Sequence, residues 1–152
     1  MAAAPDNFHA TCIALADAAV LIRGPSGSGK SDLALRCLAL PAHALWGQSP
    51  RLVADDQVLL TREGGVLRAT SPATIRGKLE VRGVGILTFD PVDDVPVRLI
   101  ADLVPSGDIE RLPGRSALVT MSGVDVPHLR IAPFEQSAPI KLLLALAPLA
   151  RG

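Results

Sequence analysis

The run Gly24-Pro25-Ser26-Gly27-Ser28-Gly29-Lys30-Ser31 holds the residue types of a phosphate-gripping turn at the required spacing, Gly-x-x-x-x-Gly-Lys-Ser/Thr. Its glycines let backbone N–H groups curl around phosphate oxygens, and a helix beginning near Ser31 turns its positive dipole end toward them. Lys30 would neutralise β- and γ-phosphate charge, and the Ser31 hydroxyl would hold magnesium. At this composition such a match arises by accident in about 0.2% of chains of this length, so a flexible Gly/Ser turn is the poorer reading. The chain has twelve arginines and only three lysines, one of them in this motif, where a compact point charge suits phosphate.

Asp55 and Asp56 are the next groups with chemistry to offer. An apolar strand that ends in acids beside a phosphate loop presents carboxylates to magnesium or to an attacking hydroxyl, and a carboxylate near that hydroxyl can act as general base. A third segment, Lys78-Leu79-Glu80-Val81-Arg82-Gly83-Val84-Gly85-Ile86, reads as a turn between a charged patch and an apolar strand. Glu80 there either pairs with a neighbouring arginine or supplies a metal with an oxygen ligand.

These groups need a frame. Residues 11–15 and 19–23 are apolar runs of strand length, and the second leads straight into the glycine-rich stretch. From Ser31 the apolar positions Leu33, Ala34, Cys37 and Leu38 repeat at helical spacing, and Pro41 ends the helix before it. Residues 51–54 form another buried strand that delivers the two aspartates, followed by strand character at 58–61. Glu63-Gly64-Gly65 signals a hairpin to 66–70. Further strands are expected at 85–89, 97–103, 117–121 and 126–131. Ser137 can cap a last helix with Pro139 in its first turn, an apolar body over 140–147 and Pro148 at its end. The predicted class is an α/β phosphate-loop, kinase-like domain, with a β-rich core, a helix after the phosphate loop and a C-terminal helix.

Composition narrows the partners. The 152 residues are one domain's worth, and 49% hydrophobic against 20% charged content argues for a folded chain. Fifteen basic residues balance fifteen acidic ones, so no overall field favours nucleic acid or an anionic membrane. The 3% aromatic content without tyrosine lacks the stacking platforms of single-strand binders. No apolar stretch is long enough to span a bilayer, and no secretory signal opens the chain, so a cytoplasmic protein is expected. Cys12 and Cys37 show no zinc or redox spacing with the three histidines and are expected to be buried hydrophobes.

Taken in order, the phosphate loop, Asp55-Asp56 and Leu79-Glu80-Val81-Arg82-Gly83-Val84-Gly85-Ile86 resemble the catalytic domain of bacterial HPr kinase/phosphorylase, the serine kinase of the phosphotransferase system. His9 lies twenty-one residues before Lys30, as a histidine does in that family. The resemblance runs from about His9 to Ala147 and implies a single catalytic domain over residues 1–152, a short form without the family's N-terminal domain. It implies ATP with magnesium, an HPr-like phosphocarrier as acceptor, and a homo-oligomer, a hexamer by family likeness. Residue by residue, it implies Asp55 as acid/base with His9 supporting it, Lys30 and Ser31 as phosphate and magnesium groups, and Glu80 as a magnesium ligand. Arg111 would be the catalytic arginine, with Arg115 as competitor. The family's basic Pro-Gly-Arg loop before its last helix is here Leu129-Arg130-Ile131-Ala132-Pro133-Phe134-Glu135-Gln136, with one arginine; that loop is associated with dephosphorylation by phosphorolysis. Two other classes fit the same phosphate loop: a small-molecule kinase, which would need an arginine-bearing lid, and a nucleotide-sensing regulator that transfers nothing.

Overall fold

The computed structural model describes residues 4–111 and 117–150. The chain runs through β1 (Asp6–Phe8), β2 (Thr11–Leu15), β3 (Ala18–Arg23), α1 (Lys30–Leu38), β4 (Arg51–Ala54), β5 (Val58–Glu63) and β6 (Val66–Thr70). It continues through β7 (Lys78–Val81), β8 (Gly85–Thr88), β9 (Val95–Leu103), β10 (Leu118–Met121), β11 (Val124–Ile131) and α2 (Ala138–Leu146). This is an α/β fold with a mixed sheet and few helices. The main sheet runs β1-β5-β6-β9-β3-β2-β4, and the β10–β11 hairpin joins it through β9.

The central strands are apolar on both faces because both faces are covered. Ile13, Val20 and Ile22 pack with Leu33 and Cys37 of α1 and with Leu142 and Leu146 of α2. Their neighbours Cys12, Ala14 and Leu21 point the other way, onto Leu60, Leu67, Ile100 and Val126. Successive residues of one strand thus feed two cores, as the period of two requires. Both cysteines are buried, and burial pushes the Cys37 thiol up to about 12 and that of Cys12 well above the ordinary thiol range. Leu142 is fully buried between the helices and the sheet. Leu142→Ala is expected to cost about 2–5 kcal/mol, read as a lower urea midpoint with an unchanged slope.

The structure departs from the sequence expectations at three places. Residues 78–81 are a strand as well as the approach to a turn: β7 pairs antiparallel with the expected strand β8 from Lys78↔Thr88 to Val81↔Gly85, anchored by the fully buried Leu79. The N-terminal β1, pairing with β5, has no apolar run to announce it. The Ser137 side chain does not cap α2; its backbone carbonyl accepts from Lys141 N at 2.9 Å, because Ser137 already has helical dihedrals and a capping residue must not.

Candidate active site

Strand direction gathers the polar residues at one rim. β2 is antiparallel to both β3 and β4, so β3 and β4 run in the same direction, as do β9 and β11 beside β3. The carboxyl ends of these four strands, followed by Gly24, Asp55, Val104 and Ala132, therefore lie at the rim where β2 begins, just after His9 and Ala10. The crevice outside the carboxyl ends of an α/β sheet is the usual place for a ligand.

Residues 24–29 join β3 to α1. Gly27 and Gly29 take φ of 78° and 101°, in the left-handed region glycine enters without penalty. A Cβ on Gly24 would stand 2.5 Å from Ser28 Oγ, so a side chain here would displace that hydroxyl, and in ordinary contact with Leu103 Cβ of β9 at 3.4 Å. Lys30 is buried and donates from Nζ to the carbonyls of Gly24 (2.7 Å) and Pro25 (3.0 Å). The loop also holds a buried Ser28 hydroxyl with no partner among the described residues. An orphaned donor, left-handed glycines and a helix N-terminus together suit an anion such as a phosphate.

The two aspartates are held differently. Asp55 is 6% exposed, and its Oδ1 accepts from Ser31 Oγ at 2.6 Å and from Thr11 Oγ1 at 3.0 Å. Asp56 is exposed and sits at φ 68°, a conformation that costs a non-glycine residue about 1–2 kcal/mol and that aspartate tolerates better than most. His9 Nε2 donates to Asp56 Oδ1 at 2.9 Å. The expected support of Asp55 by His9 is therefore not what forms. Asp55 turns inward to the loop serine, and the left-handed residue after it carries its carboxylate outward to His9. Thr11 escaped the sequence reading; its only signal is a hydroxyl at the first position of a buried strand.

Glu80 lies on β7 between Leu79 and Val81, which both pack on the helix-side core, and is itself exposed. Among the described residues it makes no hydrogen bond or ion pair, so the arginine pairing does not form. No group of three or more His, Cys, Asp or Glu stands ready for a metal among the described residues. The donors present, a serine hydroxyl against a carboxylate, are the hard oxygen ligands that suit magnesium, which binds through one or two carboxylates and keeps several waters. Arg111 is exposed, eight residues beyond the end of β9, with no hydrogen bond or ion pair among the described residues. Arg115 lies outside them.

Behind the loop stands a second polar cluster. Arg23, the residue before Gly24, donates to Asp102 from Nε and Nη2, both at 2.8 Å, and His128 Nε2 lies 2.7 Å from the same carboxylate. Partial burial alone would raise the Asp102 pKa, but the hydrogen bonds from Arg23 and His128 outweigh it and hold the group below the ordinary carboxylate range. A depressed pKa contributes stability that is present above the unfolded value and is lost as pH falls through the folded one. Asp102→Asn should therefore flatten the acid side of the stability profile, measured by urea unfolding at stepped pH below the ordinary aspartate range. A cavity of about 310 Å³ lined in part by Gly65, Leu67, Arg98, Asp125 and Leu149 shares no residue with the loop and lies apart from this rim.

These observations describe an α/β domain whose chemically useful side chains collect at the carboxyl rim of its central strands. The profile of the HPr Serine kinase C-terminal domain family matches residues 1–147, and the chain belongs to that family. The HPr kinase/phosphorylase of Xanthomonas campestris pv. campestris is 37% identical over 140 residues, covering 82% of this chain and 42% of the relative. That of Chloroherpeton thalassium is 29% identical over 136 residues, covering 82% of this chain and 38% of the relative. The chain thus spans about two fifths of the length of these curated relatives. In fold it is similar to the solved HPr(Ser) kinase/phosphatase of Coxiella burnetii, with a TM-score of 0.72 at 24% identity, covering 92% of this chain and 88% of that one.

Proposed function

We propose that this domain is an ATP- and magnesium-dependent serine kinase acting on an HPr-like phosphocarrier protein, with dephosphorylation of the product by phosphorolysis as a second activity. The observation that carries this reading is the pair of adjacent carboxylates at the end of β4, one turned inward to the loop serine and one held outward by a histidine: Ser31 on Asp55 and His9 on Asp56. A binding-only regulator has no need of the second, outward carboxylate and its histidine.

In this reading the backbone N–H groups of 24–31 and the Lys30 ammonium hold the triphosphate. Ser31 and Asp55 are the metal-side ligands, with Glu80 as a further oxygen donor. Magnesium, when bound, supplies charge neutralisation on the phosphoryl oxygens. With Asp55 engaged by two hydroxyls, Asp56 is the group free to accept a proton, and His9 positions it. The acceptor's serine O–H bond breaks toward Asp56 while its oxygen bonds the γ-phosphorus and the bond to the leaving ADP oxygen breaks. Lys30 and Arg111 spread the charge of this loose transfer. In phosphorolysis an oxygen of inorganic phosphate bonds the phosphoserine phosphorus, the bond from that phosphorus to the serine oxygen breaks, Asp56 returns its proton to the serine oxygen, and pyrophosphate is the product.

The test is incubation with ATP, magnesium and a candidate HPr-like protein, followed by mass spectrometry. One new phosphoserine on the acceptor is the expected result. Label on a metabolite instead, or tight ATP binding with no transfer to any acceptor, would refute it.

A further inference from the structure

The segment between β11 and α2 is strapped to the helix that follows the glycine loop. Arg36 of α1 donates to the carbonyls of Pro133 and Glu135. This holds Phe134 against Gly29: a Cβ on that glycine would stand 3.1 Å from Phe134 Cε1 and 3.2 Å from Cζ. Yet Phe134 is 75% exposed, in a chain with three phenylalanines, one tryptophan and no tyrosine. Singly exposed apolar residues are ordinary, but this ring has one edge on the last glycine of the loop, stands on a backbone held by hydrogen bonds on both sides, and leaves most of its surface to solvent.

We propose that Phe134 is the stacking platform for the purine base of the nucleotide whose phosphates lie on residues 24–31. This rests on the ATP reading above and adds the site for the other end of that ligand. The strap holds the backbone on both sides of Phe134 before the ligand arrives, so less ordering cost is left to binding. A ring offers a base a π-face and apolar contact but no hydrogen-bond code. The platform should therefore strengthen purine nucleotides without choosing sharply between adenine and guanine.

Calorimetric titration of the wild-type chain and Phe134→Ala with magnesium-ATP, magnesium-GTP and the base-free ligand magnesium-tripolyphosphate tests this. Loss of one base–aromatic stack is expected to weaken both nucleotides about 5- to 150-fold while leaving tripolyphosphate affinity unchanged, and Phe134→Trp should restore the nucleotides. If wild type binds tripolyphosphate and ATP equally, the platform is refuted and the phosphate site stands. Binding of none of the three refutes both. Equal weakening of all three ligands by Phe134→Ala would make the ring a prop for the loop, and a rise in acceptor KM with unchanged ATP affinity would make it a protein contact; either result overturns the proposal.

Discussion

Alanine at Arg111 is expected to lower the rate of phosphoryl transfer by about 10³- to 10⁵-fold, the effect of losing an arginine that stabilises charge on a transferring phosphoryl group. The connection that carries it leaves β9 at Leu103, whose side chain approaches Gly24, and Arg111 follows eight residues later, exposed and without a partner among the described residues. A guanidinium unspent on structure can be spent on the transition state. ATP affinity should change little, because the charge it answers develops only during transfer. Single-turnover rates for Arg111→Ala and Arg115→Ala, each with full-length acceptor, decide the assignment: a large loss at Arg115 with little at Arg111 moves the role to the neighbour. Arg111→Lys should recover only part of the rate, since a point charge lacks the planar fork.

Asp56→Asn should lower kcat by about 10²- to 10⁴-fold, the usual worth of a general base, with ATP affinity near that of wild type. Asparagine keeps the size, tolerates the left-handed backbone and can still accept from His9, so the substitution removes basicity and little else. Asp55→Asn should behave differently. It removes the charge beside Ser31, so the magnesium concentration needed for half-maximal activity should rise together with the KM for ATP. Rate measurements across a magnesium series separate the two. If Asp55→Asn abolishes transfer at saturating magnesium while Asp56→Asn is active, the proton goes to Asp55, as the family likeness alone implies.

That division of labour shows where sequence reading stops. The glycine loop, its strand and its helix are legible because their rules are local: residues 24–31 carry the turn chemistry, and 31–38 the helical period. The aspartate pair at the end of an apolar strand is legible for the same reason. Which aspartate faces which partner is not, because it depends on β2 inserting antiparallel between β3 and β4, which sets Thr11 against Asp55 and His9 beside Asp56. The strand at 78–81 is not legible because the two glycines that follow it suggest only a turn leading to the strand at 85–89, whereas Leu79 gains its burial from helices far away in sequence.

By itself the amino-acid order determined the glycine-rich turn between a strand and a helix, most of the strands, both helices and the family, since each rests on spacing between near neighbours. Tertiary structure alone decided that Asp55 is spent on Ser31 and Thr11, that Arg23, Asp102 and His128 form one cluster behind the loop, and that Phe134 lies on Gly29. Each of those contacts joins residues from different strands or connections, and no local period or propensity encodes the direction in which two distant segments meet.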